Sequence, residues 1–185
     1  MSLRICVYCG SKSGTSEVYV ENAKKLGAAL AKRGHGLVYG GGNIGLMGAV
    51  AEAAHGAGAK VTGVIPEALL SVETSGEMVG DTIVVKDMHE RKATMAKLAD
   101  AFVALPGGFG TLEELFEVAT WKQLGFHAKP VVLLNVDGYY DGLISFFQNA
   151  NAKGFLSDAN KDIIRNGIDA DEVLDLISAS TSSSS

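Results

Sequence analysis

The residues best equipped for chemistry lie in Leu105-Pro106-Gly107-Gly108-Phe109-Gly110-Thr111-Leu112-Glu113-Glu114. An apolar run, Ala101 to Leu105, leads into three glycines in four positions. A helical pattern then begins at Thr111, so the segment reads as strand, tight loop and helix start. Such a junction suits an anion, above all a phosphate. Glycines let the backbone approach a ligand without Cβ clashes, and the first amides of the helix point outward at its positive dipole end. Thr111 and Glu114 also have the spacing of a capping box, which would make both residues structural. A cap, however, does not require Gly107, Gly108 and Gly110 ahead of it, which favours the ligand loop.

Three further groups could join that loop. Arg91 falls on the stripe formed by Met88, Met95 and Leu98, three residues after the first and four before the second, so a guanidinium is set on a core-facing side. It is either an internal ion-pair member or a cation aimed into a ligand cleft, and the adjacent phosphate-type loop favours the cleft. The run Gly40-Gly41-Gly42 after the short strand Leu37 to Tyr39 suggests backbone brought close to a ligand, although its spacing does not match a dinucleotide fingerprint. Glu73 and Glu77 lie in a polar irregular stretch, Ser71 to Asp81, long enough to act as a lid or pocket wall. Cys6 and Cys9 form C-x-x-C, but in a strand residues three apart face opposite ways, so they read as reduced strand cysteines. The four histidines are scattered without ligand spacing, and no metal site is expected.

Strands and helices that position these groups alternate along the chain. Strands are expected at Arg4 to Cys9, Leu37 to Tyr39, Lys60 to Ile65, Thr82 to Val85, Ala101 to Leu105 and Pro130 to Leu134. Helices fill the intervals, among them one ended by Gly34 and preceded by the loop Gly10 to Ser16, which is of a kind that often takes part in nucleotide binding and in which Ser16 is equally an N-cap, one from Met88 to Leu98, and one from Thr111 to Leu124 that turns Leu112, Leu115, Phe116 and Ala119 to the core. Further helices are expected at Tyr139 to Ala152 and Asp169 to Ile177. Strands that are apolar throughout belong in a parallel sheet covered on both faces, giving a Rossmann-like α/β fold in a single domain, residues 1–178, followed by a low-complexity serine-rich tail, 179–185. The loops after the first, second and fifth strands, at Gly10, Gly40 and Pro106, would then converge beyond the carboxyl ends of the strands, where such sheets bind ligands.

Composition narrows the partners. With 47% hydrophobic and 20% charged residues, 185 residues make one domain with a sizeable core. A net charge of −5 leaves no basic footprint for nucleic acid. No apolar run approaches the ~20 residues that span a bilayer. The start, Met1-Ser2-Leu3-Arg4, shows no leader pattern, which implies a soluble, cytoplasmic protein acting on a small molecule.

The motif Pro-Gly-Gly-x-Gly-Thr-x-x-Glu at Pro106 to Glu114, the glycine-rich Tyr39 to Gly48, and Asp87-Met88-His89-Glu90-Arg91-Lys92 together resemble the LOG family. These are the cytokinin riboside 5'-monophosphate phosphoribohydrolases, many formerly labelled lysine decarboxylases. The resemblance runs from about Cys6 to Gly142. It implies hydrolysis of the N-glycosidic bond of N6-modified adenosine 5'-monophosphates, and of AMP, to free base and ribose 5-phosphate. Carried over by position, Arg91 and Glu114 match the catalytic pair, while Glu73, Lys92, Gly107, Gly108, Phe109, Gly110, Thr111, Leu112, Glu113 and Thr120 match substrate-binding positions. The resemblance also implies a homodimer that uses neither a metal nor an organic cofactor. The chemistry agrees with it: breaking the sugar–base bond passes through an oxocarbenium-like sugar, which a carboxylate near C1' can stabilise while orienting or deprotonating water, and Glu114 is the first choice. Arg91 cannot readily act as an acid, so it would hold a carboxylate or the ribose phosphate. No residue type or spacing assigns the group that protonates the leaving purine. Two other readings are a carrier that binds a phosphorylated ligand without cleaving it, which would not need the Arg91 and Glu114 pair, and an amino-acid decarboxylase, which would need a pyridoxal phosphate lysine that no motif supplies.

Overall fold

Alternation of apolar strands with amphipathic helices produces seven parallel strands in the order β4-β3-β2-β1-β5-β6-β7. The computed structural model describes residues 2–75 and 77–182. Strand β1 (Arg4–Tyr8) lies at the centre, with β2 (Gly36–Tyr39), β3 (Val61–Pro66) and β4 (Asp81–Val85) to one side and β5 (Ala101–Ala104), β6 (Val131–Leu134) and β7 (Ile164–Gly167) to the other. In register, Cys6 faces Val38 of β2 and Phe102 of β5. The chain reverses its direction of travel across the sheet between β1 and β5, so a crevice opens at their carboxyl ends.

The period of two along β1 separates two cores. Ile5, Val7 and Cys9 face α1 (Glu17–Lys32), α2 (Gly45–Gly56) and α7 (Ala170–Ser182). Cys6 and Tyr8 face α4 (Met88–Leu98) and α5 (Phe109–Gln123). The cysteines are accordingly buried, free and on opposite faces. Leu115 and Val118 of α5 are essentially inaccessible, and such burial stabilises by roughly 1.5–3 kcal/mol for each side chain.

Several expectations change in three dimensions. A seventh strand, β7, has the sequence Ile-Arg-Asn-Gly, which has little strand propensity; pairing with β6 from Val131↔Ile164 to Leu134↔Gly167 recruits it. The stretch expected to be irregular from Ser71 is helical at its start: a short helix, α3 (Leu70–Glu73), follows a 3₁₀ turn, Glu67–Leu69, and runs into it. Serine-rich composition suggests a tail from residue 179, yet α7 continues to Ser182, and residues 183–185 lie outside the described residues. The helix expected from Tyr139 starts instead at Asp141, as α6 (Asp141–Ala152), after a 3₁₀ turn, Val136–Gly138. Phe116 does not face the core: it is 38% exposed and meets the edge of Phe147 from α6. Among the described residues, no helix is long and apolar enough to cross a membrane.

Candidate active site

Helix α5 begins earlier than its sequence suggests. Its N-cap is Gly108 rather than Thr111, and the first backbone bond closes from Leu112 N–H to Gly108 O. Thr111 and Glu114 are therefore both inside the helix, on its buried face, and the capping box does not form. The amides of Phe109, Gly110 and Thr111 are left without intrahelical acceptors, as in any first turn, and these three residues line the crevice. Gly107 is needed for close approach: a Cβ there would stand 2.0 Å from Thr111 Oγ1 and 2.9 Å from Gly10 N.

Loops from β1, β2 and β5 meet as expected, enclosing a cleft of about 510 Å³, a size suited to a nucleotide. Gly10 to Gly14, Gly40 and Pro106 to Thr111 form its rim, with Glu73, Arg91 and Glu114 in its wall. Glu114 has only 9% of its surface exposed. Burial raises its pKa from 4.5 to about 7; the Arg91 charge opposes that rise, and Glu113 and Glu73 add to it. The carboxyl is thus divided between acid and base near neutral pH, which suits proton transfer.

Arg91 is 4% exposed and fully engaged. Its Nε donates to Val64 O at 3.1 Å, and its Nη2 donates to Gly40 O at 2.6 Å and to Glu73 Oε2 at 3.1 Å. The guanidinium consequently ties β3, the β2 loop and α3 together while lining the cleft, so the ion-pair and cleft readings both describe it. Glu73 is held in turn by Asn43. The amide of Asn43 donates to Glu73 O at 3.1 Å, and its side chain accepts from Ser75 N at 2.6 Å and donates to Glu77 O at 2.9 Å. Glu77 itself remains an exposed surface acid.

Other expected site residues are placed differently. Gly41 and Gly42 are buried behind the rim, packed against Ile65 and against Met47 and Glu73. Lys92 is buried beside the cleft rather than lining it, bound to Glu113 at 2.5 Å and Glu117 at 2.9 Å; burial pulls its pKa down, but these two carboxylates raise it overall. Leu112 and Glu113 are also outside the cleft lining, whereas Gly107, Gly108, Phe109, Gly110 and Thr111 belong to it. Thr120 is exposed on another side of α5, roughly 120° around from Glu114. There it lines a second groove, of about 290 Å³, with Phe116, Phe146, Phe147 and Phe155. Sequence reasoning missed Tyr19 and Tyr139 in the cleft wall, because an aromatic at helical spacing reads as core; a tyrosine pair after Asp137-Gly138 was the available signal. Among the described residues, no group of three or more His, Cys, Asp or Glu side chains could hold a metal.

A parallel open sheet with a glycine-lined cleft at its switch point makes the protein a Rossmann-like α/β protein with its candidate site where such sheets bind ligands. A family model described as "possible lysine decarboxylase" matches residues 47–177. Cytokinin riboside 5'-monophosphate phosphoribohydrolase LOG3 of Arabidopsis thaliana is 54% identical over 171 residues, 92% of this chain and 80% of that protein. The corresponding LOG protein of Oryza sativa subsp. japonica is 57% identical over 161 residues, 87% of this chain and 66% of its own. The chain belongs to the LOG family. A solved structure of the Moco carrier protein from Chlamydomonas reinhardtii has the same fold, with a TM-score of 0.74 and 24% identity over 99% of both chains.

Proposed function

We propose that this protein hydrolyses the N-glycosidic bond of cytokinin riboside 5'-monophosphates, and of AMP, to free base and ribose 5-phosphate. The observation that carries this reading is the one buried carboxyl among the described residues, Glu114, set in the wall of a cleft whose rim is a helix N-terminus suited to phosphate. With the 5'-phosphate on the Gly107 to Thr111 amides, the ribose is held within the cleft near Glu114. As the C1'–N bond breaks, its electron pair leaves with the base, and the carboxylate stabilises the positive charge developing on the sugar. Water then adds to C1'. Glu114 takes the water's proton and releases it to solvent, and the departing base takes one proton from solvent, so that one water is consumed and Glu114 is restored.

Arg91 and Glu73 contribute position and charge. Fixed by two carbonyls, the guanidinium limits the rise in the Glu114 pKa, keeping a useful fraction ionised at neutral pH. The active form is a homodimer in which a second copy covers Phe116, Phe146 and Phe155 at the α5/α6 groove, so that Thr120 would contact substrate at the subunit boundary. Chromatography of isopentenyl-AMP and AMP reactions without added metal or cofactor tests the activity. Release of base and ribose 5-phosphate is expected, and binding without any base release would refute hydrolysis in favour of a carrier.

A further inference from the structure

The segment Leu105-Pro106-Gly107 enters the anion loop with three successive carbonyls, each of which has a donor. Tyr140 Oη donates to Leu105 O at 2.6 Å, Gly10 N to Pro106 O at 3.0 Å, and Tyr139 Oη to Gly107 O at 2.6 Å. Two of the three donors are adjacent tyrosine hydroxyls from the connection between β6 and α6. Fastening the carbonyls matters because a carbonyl turned into the cleft would repel an anion, whereas a fixed peptide plane keeps the carbonyl away from it and leaves the N–H groups to face it.

The turn that delivers the tyrosines is built for that purpose. Asp137 is the one non-glycine residue with positive φ, at 52°, among the described residues, a conformation costly for a side-chain-bearing residue and tolerated best by Asp and Asn. Gly138 follows at φ 67°. Buried Asn135 holds the exit, accepting from Tyr140 N at 2.7 Å and donating to Asp141 Oδ1 at 2.7 Å. Tyr140 is buried, and burial raises its hydroxyl pKa, which keeps it a donor. Tyr139 is 45% exposed, with its ring edge-on to Tyr19 at 6.0 Å between centroids, and it lines the cleft.

We infer that Tyr139, seconded by Tyr140, is a positioning residue for phosphate: its hydroxyl fixes the Gly107 peptide so that the loop presents amides alone to the ligand. This rests on the reading that the loop binds the 5'-phosphate. Tyr139→Phe keeps the ring and removes only the hydroxyl. The enzyme is assayed with AMP, and with ribose 5-phosphate and adenosine as competing ligands. In the variant, KM for AMP and Ki for ribose 5-phosphate are expected to rise about 5–10-fold, as for one net hydrogen bond. kcat should fall by no more than about 2-fold, and Ki for adenosine should stay as in the wild type. Parallel increases in both inhibition constants, or an unaltered Ki for ribose 5-phosphate, would overturn the inference. If the wild type itself binds ribose 5-phosphate no better than ribose, the phosphate reading fails instead, independently of the variant. Tyr140→Phe supplies a second reading, because it acts on the Leu105 carbonyl: the same selective loss is expected, accompanied by a lower Tm.

Discussion

Glu114→Gln separates what this carboxyl does for the fold from what it does for the reaction. Glutamine reproduces the shape and neutrality of the protonated acid but cannot ionise. In the folded chain the carboxyl is raised from 4.5 to about 7, chiefly by burial. A raised acid favours the folded state in its protonated form. That stabilisation is fully present below 4.5 and is lost as the pH climbs through about 7. The displacement corresponds to about 3 kcal/mol at ~1.4 kcal/mol per tenfold change in proton affinity. Glu114→Gln should therefore be more stable than the wild type at pH 8 by up to about 3 kcal/mol, and by no more than about 1 kcal/mol at pH 5. Turnover should fall about 100-fold or more. In the wild type, kcat/KM should drop as the pH falls below about 7, the limb expected of a base, and the variant should lack that limb. Urea unfolding at the two pH values, beside base-release assays, gives both readouts. A variant less stable than the wild type by the same amount at both pH values would refute the desolvated-carboxyl account. Near-normal turnover would remove Glu114 from the chemistry.

Arg91→Lys keeps one charge but cannot bridge Val64 O, Gly40 O and Glu73 as the planar fork does. A loss of about 2 kcal/mol, a Tm lower by about 4–8 °C, and turnover down by about 100-fold are expected from calorimetry and base release. An unchanged Tm would mean that the two carbonyl contacts contribute nothing. Gly110 tests whether a rim glycine serves the ligand. A Cβ there meets no protein atom within 4 Å, so Gly110→Ala should stabilise the helix by about 0.5–1 kcal/mol while raising KM for nucleotide about 10-fold. Stabilisation with unaltered KM would show that phosphate does not approach Gly110. Phe146→Glu, on the exposed apolar groove, should give monomers in sedimentation experiments in which the wild type is expected to give dimers; a variant that still dimerises would place the interface elsewhere, and a monomeric wild type would refute the dimer.

Local order was written plainly along the chain. Ser16 does cap α1, accepting from Val18 N, and the alternation along β1 does divide Cys6 from Cys9 between two cores. The convergence of the loops at Gly10, Gly40 and Pro106 also followed from strand order in parallel sheets. These features depend on neighbours in sequence or on a general property of α/β sheets, so the residue pattern suffices. Other features depend on partners far along the chain. Strand β7 exists through its pairing with β6, overriding weak propensity. The start of α5 moves to Gly108, where tertiary contacts hold the preceding loop, and this converts Glu114 from a cap into a buried acid. Its pKa follows from burial and from Arg91, 23 positions earlier in the chain. The tyrosine donors that hold Leu105 and Gly107 are separated from them by 35 and 32 residues. Spacing can nominate a carboxylate, but its charge at neutral pH is set by solvent exclusion and by charges brought near through folding.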